Sequence, residues 1–559
     1  MEHNLFIPIG KPRRIAVAVA AWLLAGLTAL QAELYLIRAN PGVTQAELER
    51  LVTDAAVGGR ITERIIYTEL GFIGVVADIP SVIGLRTLLA SNQVRSEQLL
   101  LYQSGDIGLT SFEECATTPT PWSLDEIDGV KNAAYGAPET AKPVHLYLLD
   151  SGIVSTHCEF LTLQQSGRLI VPDGYESILS LHPGDAQLVD QLGHGTAVAS
   201  CILGQRGGIA SQAPIVLHSY GIFGNAPTTP SVAVLDGLLK ARFDHAARAD
   251  NDDPYDNASV INLSLASETT QASCEVEDAV RLAISDGMMV VAAAGNRASP
   301  VAIGATCAGN GLGNDPEEGY SPARLDEVFT VGAYAQGSTI WSSNKTLGSN
   351  TGLAVDILAP GAGIPTAAND ATTQFRTNQA GTSYAAAYVS GIAINILSCN
   401  PLAKPAEVAA AIQAAGANGG ILGIKLARQS STHIPSIEAT YAQWLAAYGS
   451  IAPTEADDDD GIPLALEFFA GRNAKLDDGS PVLWAEVTNT TIDLFFEKAR
   501  YVGPAHTQFG IDQSSDLKNW APTAVVPIAI GGDCFVQMYK ASIPIASGER
   551  YFRLKVVIP

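Results

Sequence analysis

The chain has 559 residues, 47% of them hydrophobic and 16% charged, the composition of well-packed globular structure and more chain than one ordinary domain uses, so two or three domains are expected. A formal net charge of −24 at pH 7 argues against a nucleic-acid partner or an anionic membrane surface, because both would be repelled.

At the N-terminus, Lys11, Arg13 and Arg14 precede an apolar run from Ile15 to Leu30 that ends in Gln31-Ala32-Glu33. This reads as an export signal over residues 1–32 with cleavage after Ala32, although Leu30 stands where a small residue is preferred. A retained anchor is the competing reading; the run is shorter than the ~18 apolar residues of a typical spanning helix, so no transmembrane anchor is expected. Arg13-Arg14 also admits twin-arginine export.

Residues 33–112 open with the alternating Leu34-Tyr35-Leu36-Ile37, then a helix-like stretch from Thr44 to Val52, a strand-like run from Gly71 to Ala77 and a helix-like segment from Ile79 to Ser91. That pattern is a small α+β domain. The stretch Thr117-Thr118-Pro119-Thr120-Pro121 marks a linker. Within the span 113–425, strands and helices then alternate: Val144 to Leu149, His194 to Leu203, Ile215 to Tyr220, Ser231 to Arg248, Val260 to Leu265, Val276 to Ser285, Met288 to Ala294, Val328 to Ala333 and Ser383 to Leu397. Such alternation predicts an α/β fold with a mostly parallel, doubly wound sheet. Residues 426–461 read as a linker carrying the acidic run Asp457-Asp458-Asp459-Asp460, and 462–559 as a small β-sandwich-like domain.

Seven cysteines, at positions 115, 158, 201, 274, 307, 399 and 534, lack CxxC pairs or histidine spacing suited to zinc. In an exported chain they are disulfide candidates, with at least one left over. Cys274 with Cys307 is the preferred pair, closing the segment around Asn296.

Three strings in fixed order carry the chemistry: Leu148-Leu149-Asp150-Ser151-Gly152, Gly193-His194-Gly195-Thr196 and Gly381-Thr382-Ser383-Tyr384-Ala385-Ala386. A serine hydroxyl needs an imidazole to take its proton and a carboxylate to orient that imidazole. Asp150 ends a buried strand, where open α/β sheets place ligand sites. Ser383 opens a helix rich in small residues, so its own N–H is available to a developing oxyanion. A fourth string, Val290 to Asn296, is an apolar strand ending in Gly-Asn, whose side-chain amide can donate to the same oxyanion. Singly, these residues are a strand-end turn, a core histidine, an N-cap and a turn; their order is what makes them a site.

The order Asp, His, Ser and the surrounding strings resemble the subtilisin-like serine proteases, nearest in motif to the proteinase K-like group, over roughly 120 to 420. Further matches are Val260 to Leu265, Ser321-Pro322-Ala323, Thr330 to Ala333 and Ala359-Pro360-Gly361. The resemblance implies Asp150, His194 and Ser383 as catalytic, Asn296 as oxyanion donor, and Ser264, Leu265, Ala266, Ala293, Ala294 and Gly295 as substrate-binding. It implies that 33–112 is an inhibitory propeptide removed between about 104 and 118, and that protein or peptide is the substrate. No cofactor is needed for the chemistry. Structural calcium is a candidate, at Asp356 with backbone oxygens of Asp326 and Val328. A degenerate loop of Asp458, Asp460 and Glu467 is a second candidate, with Ala456 where an aspartate is expected and an acidic linker as the alternative. Ala197, Ala266-Ser267, Tyr384, Ala387 and Tyr388 depart from the family's usual residues; against the family pattern, Ala266 and Ser267 imply a narrower pocket before the scissile bond, and Tyr384 and Tyr388 more bulk beneath the active serine.

These features predict a secreted or periplasmic endopeptidase active at neutral to alkaline pH. A silent protease-fold binding protein, acting through surface or glycan contacts of its C-terminal module, and a protease with one dedicated target are its rivals.

Overall fold

The computed structural model describes residues 33–39, 42–54, 60–67, 72–79, 94–98, 101–103, 112–114, 120–172, 190–224, 226–249, 253–267, 273–301, 320–370, 373–430, 434, 436–448, 464–473, 482–488, 490–503, 505, 507–515, 518–544 and 551–558. The apolar run 15–30 and the acidic run 457–460 lie outside them.

The central sheet runs, from one edge to the other, Ala417–Ile421, Ile424–Leu426, Ile357–Pro360, Phe329–Ala335, Met289–Ala293, Ser259–Leu263, Val144–Asp150, Ile215–Gly221 and Leu169–Ile170. From Ile424–Leu426 onward every pairing in that order is parallel. Parallel strands need helical crossovers on both faces, so their residues are buried on both sides and read as continuous apolar runs. Val144–Asp150, Ser259–Leu263 and Met289–Ala293 are buried at every residue. Leu146 and Leu148 pack into a core with helices His194–Leu203 and Thr382–Cys399; Tyr147 and Leu149 face the other way, onto Ser231–Ala249 and Cys274–Ser285. The long apolar helix Thr382–Cys399 would suit a membrane by length, but it is wholly buried in this core.

Val144–Asp150 lies where the order turns: later strands extend one way from it, Ile215–Gly221 and Leu169–Ile170 the other. A crevice opens at such a switch point beyond the strands' C-terminal ends, and Asp150 sits there. The run expected as one strand, Val260 to Leu265, is two: Ser259–Leu263 in the central sheet, and Leu265–Ser267 in a separate three-stranded sheet. The break falls at Ser264, whose hydroxyl is bonded to Asn262 Nδ2 (2.9 Å) and to the carbonyl of Ser383 (3.0 Å).

N-terminal to this, an antiparallel sheet orders Arg60–Tyr67, Phe72–Ile79, Glu33–Ala39 and Val94–Gln98. Helix Gln45–Thr53 packs on it through Leu48 and Val52, capped reciprocally by Thr44 and Glu47. Most of the helix expected from Ile79 to Ser91 lies outside the described residues; Ile79 itself ends a strand.

At the C-terminal end two antiparallel sheets share a core of Phe469, Leu494, Phe496, Ile511, Ala541 and Ile543. Part of the expected linker is folded: helix Tyr441–Ala447 buries Trp444, whose indole donates to Tyr255 Oη (2.7 Å), which also pairs with Tyr501 Oη (2.9 Å). The disulfide Cys399–Cys534 joins the end of the long core helix to this β region. Cys201 is a buried thiol in helix His194–Leu203. Cys274 is disulfide-bonded, and Cys307 lies outside the described residues.

Candidate active site

Asp150 closes its strand with no exposed surface, and its carboxylate accepts from the Ser151 N–H (2.7 Å). His194 begins helix His194–Leu203, and its Nδ1 lies 2.8 and 3.0 Å from the two oxygens of Asp150. Facing a carboxylate, Nδ1 carries the proton, which leaves Nε2 as the basic nitrogen. The flanking glycines are structural necessities. Gly193 has φ +85°, and a Cβ there would meet Asn369 Oδ1 at 2.5 Å; on Gly195 it would meet the Gly152 carbonyl at 2.1 Å.

Ser383 is the second residue of its helix and fully buried. Its amide therefore belongs to the first turn, where N–H groups have no intrahelical acceptor. Its hydroxyl donates to the Ser264 carbonyl (3.2 Å). Tyr384 packs beside His194, ring centroids 6.2 Å apart, while the Tyr388 hydroxyl lies 2.7 Å from Ser123 Oγ. The two tyrosines thus fill space under the site.

Asn296 Oδ1 accepts from the Thr382 N–H (2.9 Å) and hydroxyl (2.8 Å), which fixes the amide flip with Nδ2 as the donating end. Its loop is held by Asn350, a residue sequence reasoning missed. Asn350 Nδ2 donates to the Ala294 carbonyl, its Oδ1 accepts from the Arg297 and Ser299 amides, and its N–H donates to the Gly295 carbonyl.

Asp190 was missed too. Its Oδ1 accepts from Ser151 Oγ (2.7 Å), Leu192 N (3.1 Å) and Gly193 N (2.7 Å), and its Oδ2 from Thr196 N (2.8 Å). Ser151 Oγ in turn accepts from Gly195 N (2.9 Å). One buried carboxylate thereby ties the Asp150 turn to the first turn of the His194 helix. The available signal was an acidic residue four positions before a histidine that opens a helix.

The expected substrate-binding residues Ser264, Leu265, Ala266, Ala293, Ala294 and Gly295 come together, all buried, at the ends of two adjacent strands. Leu265–Ser267 pairs antiparallel with Leu101–Gln103, in register Leu265 with Gln103, Ala266 with Tyr102 and Ser267 with Leu101. Leu101–Gln103 pairs on its other side with Thr228–Thr229.

Of the expected metal ligands, Asp356 accepts from the Thr330 N–H at 2.7 Å. Burial, reinforced by the charge of Asp326, pushes it up to about 6. Asp458 and Asp460 lie outside the described residues, and Glu467 is buried in helix Leu464–Ala470. A different cluster, His145, His218 and Asp244, brings ligand-type atoms within 4.8 Å of one another. There Asp244 Oδ2 already accepts from Tyr147 Oη and from the Arg248 guanidinium, which supplies the positive charge a cation would bring.

The family model described as the subtilase family matches residues 142–431, a stretch that holds Asp150, His194, Asn296 and Ser383. The chain belongs to the subtilase family. It is 30% identical over 396 residues to an extracellular serine proteinase of Thermus sp. (strain Rt41A), covering 70% of this chain and 81% of that protein. It is 29% identical over 313 residues to the subtilisin-like proteinase Mp1 of Magnaporthiopsis poae, covering 55% and 67%. A solved cold-adapted subtilisin-like serine proteinase is 26% identical and covers 56% of this chain and 100% of its own, with a TM-score of 0.43. This subtilase is therefore a hydrolase, a serine endopeptidase on a mostly parallel α/β sheet, and its substrates are proteins or peptides. Subtilase catalysis uses no cofactor.

Proposed function

We propose that Asp150, His194 and Ser383 form the catalytic triad of an exported endopeptidase that matures by cutting its own N-terminal segment away. His194 Nε2 takes the Ser383 proton as Oγ attacks the scissile carbonyl; Asp150 steadies the imidazolium. The oxyanion is received by Asn296 Nδ2 and the Ser383 N–H. Collapse breaks the C–N bond, His194 returns the proton to the leaving amine, and water releases the acyl group by the same steps reversed.

The observation that carries this reading is the seating of Leu101–Gln103 between Leu265–Ser267 and Thr228–Thr229. That register ends with Gln103 opposite Leu265, the neighbour of Ser264, whose carbonyl accepts the Ser383 hydroxyl, and Gln103 directly precedes the span 104–118 in which removal of the N-terminal segment is expected. An extended segment held by main-chain bonds beside a nucleophile is how a protease presents a peptide for cleavage. The bond expected to break is Ser104–Gly105. Strand Phe112–Glu114, beyond it, pairs with Gln374–Ala380, the strand that leads into Ser383. Export is supported by the basic and apolar N-terminus and by the extracellular Thermus relative.

Calcium fits the other site by its chemistry. Asp356, raised to about 6 by burial and then by the charge of Asp326, would supply, with the Asp326 and Val328 carbonyls that the resemblance implies, an all-oxygen donor set suited to a hard cation. It would neutralise the buried Asp356 carboxylate there and take no part in the bond-breaking steps.

The test is intact mass over time for the chain beginning at residue 33, as wild type and as Ser383→Ala. Self-processing predicts a new N-terminus at Gly105 in the wild type alone. Cleavage in both chains, or in neither while both are folded, would refute it.

A further inference from the structure

We infer that Asn350 is a positioning residue for the reaction: it holds the loop that carries Asn296 from both sides and so aims the Asn296 amide at the developing oxyanion. The inference rests on the reading of Ser383 as nucleophile and Asn296 as oxyanion donor, and it assigns a role to a residue outside the strings that mark that site.

An oxyanion donor works only within a narrow range, about 2.7–3.1 Å from the oxygen it receives. Bonds from the Thr382 N–H and hydroxyl fix Asn296 Oδ1, but contact at one atom lets an amide pivot about that atom. Removing the pivot requires the main chain to be held on either side of residue 296. Asn350, fully buried, does both. Ahead of Asn296, its Nδ2 donates to the Ala294 carbonyl (2.8 Å) and its N–H to the Gly295 carbonyl (2.8 Å). Beyond Asn296, its Oδ1 accepts from the Arg297 N–H (2.9 Å) and the Ser299 N–H (3.1 Å).

The loop needs such bonds. Gly295 has φ 96° and Ala298 φ 51°, so two of its residues are left-handed, and at Ala298 the Cβ makes that conformation unfavourable unless neighbours hold it. Asn350 is itself firmly based. The Ser349 hydroxyl donates to the Asn350 carbonyl (2.8 Å) and accepts from the Ala333 N–H (2.8 Å), which belongs to strand Phe329–Ala335 of the central sheet. The direction of the oxyanion donor is thereby set by the sheet and not by the loop's own preference. Alanine at position 350 keeps the main-chain bond and removes the three side-chain bonds, which frees the loop to relax and carry Asn296 Nδ2 off its target. A misplacement of about 1 Å at a reacting group costs on the order of 100-fold.

A double-mutant cycle separates positioning from plain structural support, because residues that act through one another lose less together than the sum of their single losses. The experiment uses four chains beginning at residue 33: wild type, Asn350→Ala, Asn296→Ala and the double variant. Each is assayed for kcat and KM on a peptide anilide and for the rate at which it cuts itself. Asn350→Ala is expected to lower kcat by about 10-fold or more with KM within a few-fold, and to slow self-cutting by a similar factor. In the Asn296→Ala background the same substitution should lower either rate by less than about 3-fold, since the donor it aims is gone. Asn350→Ser, whose single short hydroxyl cannot serve both sides of the loop, enters the same cycle and decides the matter where the alanine variant folds poorly. An equal loss in both backgrounds, a loss carried by KM, or an unchanged kcat overturns the inference while leaving Asn296 as the donor. An Asn296→Ala variant as fast as wild type overturns the donor reading and this inference with it. Failure of wild-type Ser383 to react with a fluorophosphonate probe, with no anilide cleaved, overturns the triad reading on which both depend.

Discussion

Replacing Asp190 by alanine should cost this enzyme more stability than replacing most core residues, although Asp190 touches no substrate. Its carboxylate accepts four hydrogen bonds, three from backbone amides and one from Ser151 Oγ, with the side chain 1% exposed. At about 1 kcal/mol net for each bond the loss is roughly 4 kcal/mol, since a methyl group offers none of those donors an acceptor. Asp190→Asn should lose less, about 1–2 kcal/mol, because one oxygen still serves Ser151, Leu192 and Gly193 while the new NH2 opposes the Thr196 amide. Urea unfolding of both variants in a Ser383→Ala background avoids self-digestion and measures the difference. With Ser383 restored, the looser tie between the Asp150 turn and the His194 helix should lower kcat about 10-fold or more and leave KM within a few-fold. An alanine variant within 1 kcal/mol of its parent, or a loss carried by KM, would refute the account of Asp190 as the group that positions His194.

Asn296→Ala should lower kcat by about 10²–10³ with little change in KM; the magnitude is that found for the matching donor in subtilisin itself, and steady-state kinetics checks it. Burial pushes His218 down to about 4 from 6.5, so between those values the unfolded chain holds the extra proton. Its contribution is complete above about pH 6.5 and lost as pH falls to about 4, roughly 3 kcal/mol in all; unfolding midpoints across that window should decline in wild type and flatten in His218→Gln. Chelating calcium should lower the thermal midpoint of the wild type, the stabilisation amounting to about 2.7 kcal/mol when free calcium is 100-fold above its Kd. Asp356→Asn should abolish that response, and a variant that still gains stability from calcium would move the site elsewhere.

Much of the candidate site was legible because its signals are local. Asp150 ends an all-apolar strand, His194 sits between two glycines whose side chains would collide with neighbouring atoms, and Ser383 opens a helix of small residues; each string records the backbone conformation its own residues need. The same holds for the capping box of Thr44 and Glu47 and for the buried parallel strands, where burial on both faces leaves an unbroken apolar run.

What stayed hidden depends on residues distant in sequence. Asp190 and Asn350 are ordinary polar residues until folding brings Ser151 and Thr196 to one carboxylate, and Ala294, Arg297 and Ser299 to one amide. Within the expected linker, helix Tyr441–Ala447 is held by Trp444, which packs on Tyr255 and Phe468, neither of them near it in the chain. Cys399 pairs with Cys534 across 135 residues, a choice spacing cannot make among seven cysteines. The proposed chemistry of this protein is written in short strings, since a nucleophile, a base and an oxyanion donor each need a particular local backbone. The seating of Leu101–Gln103 between Leu265–Ser267 and Thr228–Thr229 was decided only when separate strands met, because a register belongs to pairs of segments and to neither one alone.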